Sequence, residues 1–420
     1  MPTPVVTCVL RNGAEVLLLR RSDAVGSYPG LWGGVAGHAE GDPDAAARAE
    51  VREETGIDPD TLAFVRAGDP FEVRDEGGEW LVHPYLFDCP TRAVELDWET
   101  DRYEWVPPTE LLRRETVPEL WTSYDRVRPR AGTVADDTEH GAAYLSVRAL
   151  EVLRDEAALA AVQGTDSDLR ALARDLATAR PSMPVVANRV DRAVHDAAGF
   201  EPDALERAAV AAIVRALRAD ERAAAGAAER VGDRVATLSR SGTVRATLEL
   251  AEPAAVLVAE SRPGGEGVAV AEQLAETLDA EVALTGDAAF PHQLLEWGAD
   301  TLLVGADAVV PDGRVLNKAG TRGAALSAAD ASTEVVVATS VDKVSRDGTV
   351  DLEPRDPAEL YAGDRLDVRN PTFDVTPADA VALVGEDGAF DPAETAALHR
   401  RHGAWRADDT SAGDDGVGDS

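Results

Sequence analysis

Hydrophobic and polar positions alternate in short runs along the first third of the chain, a pattern that predicts strands. Apolar runs at Val5–Leu10 and Glu15–Leu19 flank an Asn-Gly pair, which is a signal of a β-hairpin. A glycine-rich loop and a helix over Pro43–Thr55 follow, with proline where a first helical turn accepts it. Further strands are predicted at Leu62–Val73, Glu79–Phe87 and Arg102–Val106. We therefore expect an α+β sandwich over residues 1–127.

The pattern changes after residues 128–139, where breakers replace apolar positions and predict a linker. Residues 140–232 are rich in alanine and are predicted to be helical. Over residues 233–405, short apolar runs alternate with helical segments, which is typical of an α/β Rossmann-like parallel sheet. Its predicted strands are Arg234–Leu238, Ala255–Ala259, Ala280–Leu284, Thr301–Gly305 and Glu334–Ala338. Residues 406–420, rich in Asp, Gly and Ser, are predicted to be a disordered tail.

The charge of the chain excludes some classes of function. With 77 acidic and 41 basic residues the net charge is −36, which repels phosphate backbones and anionic lipid. Lysine occurs only as Lys318 and Lys343, and the other basic residues are arginine. We expect a halophilic protein, because concentrated salt screens such self-repulsion; an acidic mesophilic protein is the alternative. With neither a membrane-spanning apolar run nor a signal peptide, a cytoplasmic location is predicted.

Three glutamates in the predicted Pro43–Thr55 helix are the first candidate site. Glu50, Glu53 and Glu54 stand at i, i+3 and i+4, so their carboxylates share one helical face. Like charges placed in this way favour a compensating cation, and carboxylate oxygens suit Mg²⁺ or Mn²⁺. A solvated acidic face is the alternative interpretation.

The segment Glu50–Ile57, preceded by the run Gly30–Gly37, resembles the core of the Nudix hydrolase signature. The resemblance covers roughly residues 1–127. It implies Mg²⁺ at the three glutamates, catalytic roles for Glu53 and Glu54, and metal-assisted hydrolysis of a diphosphate.

The motif departs from the family signature at three places. The segment Gly37–Ile57 is two residues shorter than the signature, and Ala49 stands where the signature has arginine. Gly41 stands where the signature has a further glutamate, a role that Glu40 or Asp42 could take. Metal binding by the three glutamates is compatible with these changes.

Polar side chains at the carboxyl ends of the predicted parallel strands form the second candidate site, because ligands bind at such edges. Arg262 and Asp307 follow two of these strands, and Asn317 and Lys318 lie in a later loop. Lys and Arg suit phosphate, whereas Asp can bind a hydroxyl or transfer a proton. Lys318 is conspicuous because lysine is almost absent elsewhere. We therefore predict a sugar-phosphate site, with a stray lysine as the alternative.

The segments ESRP, GAD, NKAGT and NPTFDVTP resemble one family over residues 136–405. That family comprises the alpha, beta and delta regulatory subunits of translation initiation factor 2B and the methylthioribose-1-phosphate and ribose-1,5-bisphosphate isomerases. The resemblance implies a homodimer through the C-terminal domain and allows a translation partner. It implies an acid/base role for Asp307 and substrate contacts from Arg180, Asn317 and Lys318. It also implies contacts from His140, Gly141 and Ala142, where His140 stands in place of the arginine of the family's Arg-Gly-Ala phosphate motif.

Two substitutions argue against isomerase activity. The catalytic cysteine of the isomerases falls on Ser239, and serine is a far weaker acid than a thiol. Glu266 replaces a glutamine and adds negative charge where an anionic substrate is expected. We therefore expect this domain to bind a ligand without isomerising it.

These patterns support three functional hypotheses. The first is a Mg²⁺-dependent hydrolase of a nucleoside or sugar diphosphate-linked substrate, fused to a domain that binds a sugar phosphate or nucleotide. The alternative is a non-catalytic regulatory subunit resembling initiation factor 2B. The second alternative is a sugar-phosphate aldose–ketose isomerase.

Overall fold

The computed structural model describes residues 2–39, 41–75, 78–137, 140–164, 167–331 and 333–409, so most of the predicted tail lies outside the described residues. The strands are β1 Thr3–Asn12, β2 Glu15–Arg21, β3 Trp32–Gly33, β4 Val35–His38, β5 Ala63–Ala67, β6 Phe71–Asp75, β7 Gly78–Asp88, β8 Thr100–Val106, β9 Arg234–Thr237, β10 Ala255–Ala259, β11 Glu281–Thr285, β12 Thr301–Val304, β13 Ala308–Val309, β14 Val315–Lys318, β15 Glu334–Ala338, β16 Phe373–Thr376 and β17 Ala382–Val384. The α-helices are α1 Pro43–Thr55, α2 Leu120–Val127, α3 Ala131–Asp136, α4 Ala142–Gln163, α5 Leu169–Thr178, α6 Pro184–Asp196, α7 Pro202–Ala228, α8 Gly242–Ala251, α9 Glu266–Thr277, α10 Phe290–Glu296, α11 Thr321–Asp330 and α12 Pro392–His402.

The chain forms two compact units, each combining sheet and helices. The first unit consists of Met1–Arg130, Glu151–Leu169 and Glu201–Val214. The second unit consists of Ala131–Leu150, Arg170–Phe200 and Arg215–Ser420.

The first unit is built on an eight-stranded mixed sheet. Its main path runs β3-β2-β1-β7-β5, while β4 pairs with β1, β6 with β7 and β8 with β2. Strands β1 and β7 are parallel, whereas the hairpin of β1 and β2 is antiparallel. Successive residues of β2 face opposite sides, as strand geometry requires. Leu17 and Leu19 pack in the core that contains Val51 of α1, and Leu18 packs with Tyr124 of α2, so a helix covers each face.

Buried ion pairs explain why part of the helical region belongs to the first unit. Arg128, 1% exposed, pairs with Asp125 at 2.7 Å and with Glu156 at 2.7 Å. The Tyr124 hydroxyl donates to Asp155 at 3.0 Å. A buried arginine needs such carboxylates, because an unpaired charge away from water is costly. The predicted linker 128–139 therefore begins with a buried residue and contains helix α3.

The second unit is built on a six-stranded sheet with the order β11-β10-β9-β12-β15-β17, and its paired strands are parallel. Its interior strands are continuous apolar runs because both faces are covered; all five residues of β10 are buried. A smaller antiparallel sheet, β13-β14-β16, lies in the same unit.

Most of the predicted elements are confirmed. The α1 helix and strands β10 and β15 have the predicted bounds, and residues 140–232 contain helices α4 to α7. The single strand predicted at Leu62–Val73 is wrong, because the chain forms β5 and β6 with Gly68 and Pro70 between them. Proline has no N–H for a sheet hydrogen bond, which interrupts the strand. Within the described ranges, the helices are each too short or too polar to cross a membrane.

Candidate functional sites

Helix α1, which carries the three glutamates, has well-defined ends. The Asp42 side chain caps its start by accepting the Asp44 N–H, and Pro43 occupies the first turn. Gly56 ends it in the left-handed conformation, with a φ of 68°, which favours glycine. Val51, next to Glu50 in the sequence, is completely buried and packs in the core against strands of the sheet, which anchors the helix.

Two of the three glutamates lie against the backbone of strand β4. The Ala36 N–H donates to Glu54 Oε1 at 3.2 Å. A Cβ built on Gly37 would lie 1.9 Å from Glu50 Oε1, so the absence of a side chain at Gly37 makes room for that carboxylate. Glu53, by contrast, is exposed. The glycine that opens the motif therefore has a physical role in seating Glu50.

Negative charge accumulates around these two carboxylates. Burial raises the pKa of Glu54 to about 8, the Ala36 N–H opposes this shift, and the Glu50 carboxylate adds to it. Burial, followed by the Glu53 and Glu99 carboxylates, raises the pKa of Glu50 above its ordinary value. Both shifts describe carboxylates that a neighbouring cation would stabilise in the charged form.

The donor chemistry at α1 suits a hard divalent cation. Carboxylate oxygens are the ligands that Mg²⁺ takes, and the space at Gly37 admits Glu50 close to the strand. Among the residues that the structure describes, no group of three or more His, Cys, Asp or Glu side chains is gathered closely enough to hold a metal ion. Glu40, one of two predicted substitutes for the further glutamate, lies outside the described residues. The three-glutamate metal site therefore stays a prediction.

The second candidate site is a cavity of about 1070 Å³ in the second unit, at the carboxyl ends of β9 and β12. Most of the predicted site residues of this domain line it: His140, Gly141, Ala142, Arg180, Asp307, Asn317 and Lys318. Ser239 and Glu266 also line it. The topology therefore brings together residues that are far apart in sequence.

Lys318 is held by a set of short polar contacts. Its Nζ lies 3.0 Å from Glu266 Oε1 and donates to the Pro263 carbonyl at 2.5 Å. The Ser239 hydroxyl donates to the same Glu266 oxygen at 3.0 Å. Lys318 was expected in a loop, but it ends strand β14, whose pairing with β16 fixes it. Its neighbour Asn317 donates to Thr321 Oγ1 at 3.0 Å.

Arg180 is paired with a second carboxylate in the cavity. Its guanidinium contacts Glu353 Oε1 at 3.3 Å and also donates to the Asp137 carbonyl. The Ser182 hydroxyl donates to the other Glu353 oxygen at 2.6 Å. Glu353 has a φ of 49°, a backbone conformation that a non-glycine residue seldom adopts.

Asp307 lines the cavity near two lysines. Burial raises the pKa of Asp307 to about 6, and the charges of Lys343 and then Lys318 oppose the shift. Lys343 is buried and donates to the Ala306 carbonyl at 2.6 Å, and burial lowers its pKa. A carboxyl group that titrates near neutral pH is suited to proton transfer.

Two of the predicted site residues, Arg262 and His140, are less available to a ligand in the cavity than the others. Arg262 does not line the cavity: its side chain is 70% exposed and lies 3.5 Å from Glu260. His140 lines the cavity but is paired with Asp137 at 2.8 Å. We predicted Arg262 from its position after β10, and the chain turns its side chain outward there.

Sequence reasoning missed Glu353 and Arg355 in the cavity wall. Both lie in a segment without long regular elements, between β15 and β16, so no periodicity marks them. Lys343, the other lysine of the chain, also lines the cavity, and its place after strand β15 puts it near the same edge of the sheet.

Comparison with known proteins divides the chain into two consecutive regions. The family model described as "Initiation factor 2 subunit family" matches residues 138–392, and the model described as "NUDIX domain" matches residues 1–127. The chain belongs to the initiation factor 2 subunit family and carries a NUDIX domain ahead of the family region.

Individual relatives are similar to the family region. A ribose 1,5-bisphosphate isomerase of Haloferax volcanii is 34% identical over 304 residues, which cover 66% of this chain and 93% of that protein. A second ribose 1,5-bisphosphate isomerase, from Haloterrigena turkmenica, is 32% identical over 317 residues, which cover 65% of this chain and 94% of that protein. The crystal structure of translation initiation factor eIF-2B from Pyrococcus horikoshii OT3 matches with a TM-score of 0.55 and 26% identity, covering 63% of this chain and 96% of that chain. The fold of this region is therefore that of the initiation factor 2 subunit family.

Proposed function

We propose that residues 1–127 catalyse the Mg²⁺-dependent hydrolysis of a nucleoside or sugar diphosphate-linked substrate. The observation that carries this proposal is the seating of Glu50 and Glu54 against the backbone of Ala36 and Gly37. This arrangement concentrates carboxylate oxygens on one helical face beside a strand. The NUDIX domain over the same residues supports a hydrolase.

Each glutamate has a distinct part in the proposed reaction. Glu50, Glu53 and Glu54 would hold Mg²⁺ or Mn²⁺, which neutralises phosphate charge and lowers the pKa of water when it is bound. The Ala36 N–H fixes the orientation of Glu54. Glu53 is exposed and is therefore accessible to substrate and water. We assign catalytic roles to Glu53 and Glu54.

The test is hydrolysis of a panel of nucleoside diphosphates and nucleoside-diphosphate sugars in molar KCl with Mg²⁺, followed by chromatography of the nucleotides. Glu53→Gln removes one ligand charge and no core volume, so we expect it to abolish Mg²⁺-dependent turnover with the fold intact. Glu72→Gln, an exposed glutamate on β6, is the matched control and should behave as wild type. Equal turnover by Glu53→Gln and wild type would reject the assignment.

For the second unit, we propose binding of a sugar phosphate or nucleotide in the cavity. The support is that Arg180, Asp307, Asn317 and Lys318 all line this one cavity. Two relatives are named for a phosphorylated ribose, which agrees with this ligand class. Calorimetric titration with sugar phosphates tests the proposal, and no binding by any of them would contradict it.

Aldose–ketose isomerisation is the second candidate function. The expectation that isomerase activity is absent lacks support from the relatives, since this chain covers 93% of one protein named as an isomerase. Asp307, with a pKa of about 6, is suited to exchange protons with a sugar hydroxyl. Ser239 remains the argument against it. Appearance of ribulose 1,5-bisphosphate from ribose 1,5-bisphosphate, or of methylthioribulose 1-phosphate from methylthioribose 1-phosphate, would establish the activity. Absence of both products would leave a domain that only binds its ligand.

Several further statements stay predictions. One is a Rossmann-like sheet, which the strand order β11-β10-β9-β12-β15-β17 favours. The others are a homodimer through the C-terminal part, a translation partner, a cytoplasmic location, and no general binding of nucleic acid or membrane. A non-catalytic regulatory subunit is the alternative if neither site turns over substrate. A halophilic fold follows from the charge of −36, and an equal melting temperature in dilute buffer and molar KCl would contradict it.

A further inference from the structure

Inside the cavity, two of the cations that are predicted to bind phosphate are each in contact with a carboxylate. Glu266 contacts Lys318 Nζ at 3.0 Å, and Glu353 contacts Arg180 at 3.3 Å. Both carboxylates also accept a hydrogen bond from a serine hydroxyl, Ser239 for Glu266 and Ser182 for Glu353. The cavity therefore supplies negative charge as well as positive charge to its ligand.

Glu266 is the more firmly placed of the two. It is the first residue of helix α9, and its side chain is 20% exposed beside a lysine that is 7% exposed. A Cβ built on Gly264 would lie 2.7 Å from Glu266 Oε2, so the preceding turn also packs against this carboxylate. Glu353 has the more exposed side chain, at 32%, and lies in a segment without long regular elements.

A phosphate group that approached Lys318 would meet the Glu266 carboxylate at the same ammonium. Like charges repel strongly where water is largely excluded, and such repulsion discriminates between ligands. A sugar hydroxyl, in contrast, can donate to a carboxylate and accept from a lysine. The contacts of Lys318 and Glu266 therefore suit a hydroxyl-bearing part of a sugar better than a second phosphate.

We propose that the cavity selects a sugar with a single phosphate over a doubly phosphorylated sugar, and that Glu266 is the specificity-determining residue. Glu266 repels a second phosphate at Lys318, and the remaining cations of the cavity bind the first. This inference rests on the proposed binding of sugar phosphates by the second unit.

The proposed hydrolase reaction yields a ligand of this kind. When water attacks one phosphorus of a nucleoside-diphosphate sugar, its oxygen bonds to that phosphorus and the bridging P–O bond breaks. Each fragment leaves with one phosphate, and the protons of the water are taken up by the two phosphates and the solvent. The products are a nucleoside monophosphate and a sugar 1-phosphate. A reaction of this class would thus supply a singly phosphorylated sugar.

Calorimetric titration of the full chain in molar KCl with ribose 1-phosphate and with ribose 1,5-bisphosphate tests the inference. We expect wild type to bind ribose 1-phosphate at least about tenfold more tightly. Glu266→Gln keeps the shape of the side chain and removes its charge, so it should improve bisphosphate binding by about tenfold and change monophosphate binding less. Glu276→Gln is the matched control, because Glu276 is exposed on the same helix α9 and does not line the cavity; it should leave the ratio of affinities unchanged.

Tighter binding of the bisphosphate by wild type would overturn the inference while leaving the proposed sugar-phosphate binding intact. An unchanged ratio of affinities in Glu266→Gln, with a wild-type circular dichroism spectrum, would also overturn it. If neither ligand bound to wild type, the proposed binding function would fail together with this inference.

Discussion

Buried or partly buried carboxylates occur in both candidate sites, but their surroundings differ. In the first unit, Glu54 has Glu50, Asp97 and Glu99 among its charged neighbours, and its pKa rises to about 8. In the second unit, the cavity sets acids beside bases, and Lys343 opposes the rise of the Asp307 pKa to about 6. The first site thus accumulates negative charge that an added cation would neutralise, whereas the second balances charge with its own side chains.

After the loss of turnover expected for Glu53→Gln, the largest effect is expected for Gly37→Ala, which also alters the first site. The new Cβ would lie 1.9 Å from Glu50 Oε1 and would displace that carboxylate. Because a misplacement of about 1 Å can cost on the order of a hundredfold in rate, we expect hydrolysis to fall by about that factor. The stability should change little, by less than about 1 kcal/mol, since the displaced atoms end a flexible side chain.

Gly26→Ala is the matched control for this experiment, because a Cβ at Gly26 would meet nothing within 4 Å. It should retain wild-type hydrolysis. Full Mg²⁺-dependent activity in Gly37→Ala, measured with the same substrate panel, would show that Glu50 does not need its place beside the strand.

The next largest effect is expected on the sugar-phosphate affinity of the second site, where Lys318→Ala removes a positive charge. The variant loses a charged hydrogen-bond donor, worth about 1.5–3 kcal/mol, and leaves Glu266 without its ammonium partner. Calorimetry should show sugar-phosphate binding weakened by at least about tenfold. Ser239→Ala should bind nearly as well as wild type, because Lys318 still pairs with Glu266. Wild-type affinity in Lys318→Ala would leave this residue with a purely structural role.

The third effect is on stability and follows from the raised pKa of Asp307. The pKa is about 6 in the folded protein and 3.8 ordinarily, so the folded state binds more protons between these values. Stability contributed by Asp307 therefore falls as the pH rises from about 4 to about 6, by about 2 kcal/mol. Asp307→Asn should remove this loss, as denaturant unfolding at pH 4.5 and pH 7.5 would measure. An identical pH dependence in variant and wild type would contradict it.

The sequence was sufficient to predict those helices and strands whose ends or burial are marked by nearby residues. Asp42, Pro43 and Gly56 mark the ends of α1, and the apolar runs of β10 and β15 mark buried parallel strands. The convergence of Ser239 and Asp307 on one cavity followed from the rule that the carboxyl ends of parallel strands meet at one edge, since they follow the neighbouring strands β9 and β12. Lys318 reaches the same cavity from β14 of the antiparallel sheet.

The contacts that balance charge in the cavity were not predictable in the same way. Glu353 reaches Arg180 across 173 positions of the chain, and Glu266 reaches Lys318 across 52. Such contacts depend on side-chain placement within the fold, which neither periodicity nor a motif records. The sequence indicated that Glu266 adds negative charge, but the structure supplied the lysine and serine that hold it.

Phosphorus NMR of the full chain with a panel of nucleoside-diphosphate sugars, in molar KCl with Mg²⁺, tests the proposed hydrolase activity. We expect that with wild type, but not with Glu53→Gln, the diphosphate resonances disappear and those of a nucleoside monophosphate and a sugar 1-phosphate replace them. Diphosphate resonances that persist for every member of the panel with wild type, or that disappear equally with Glu53→Gln, would contradict it.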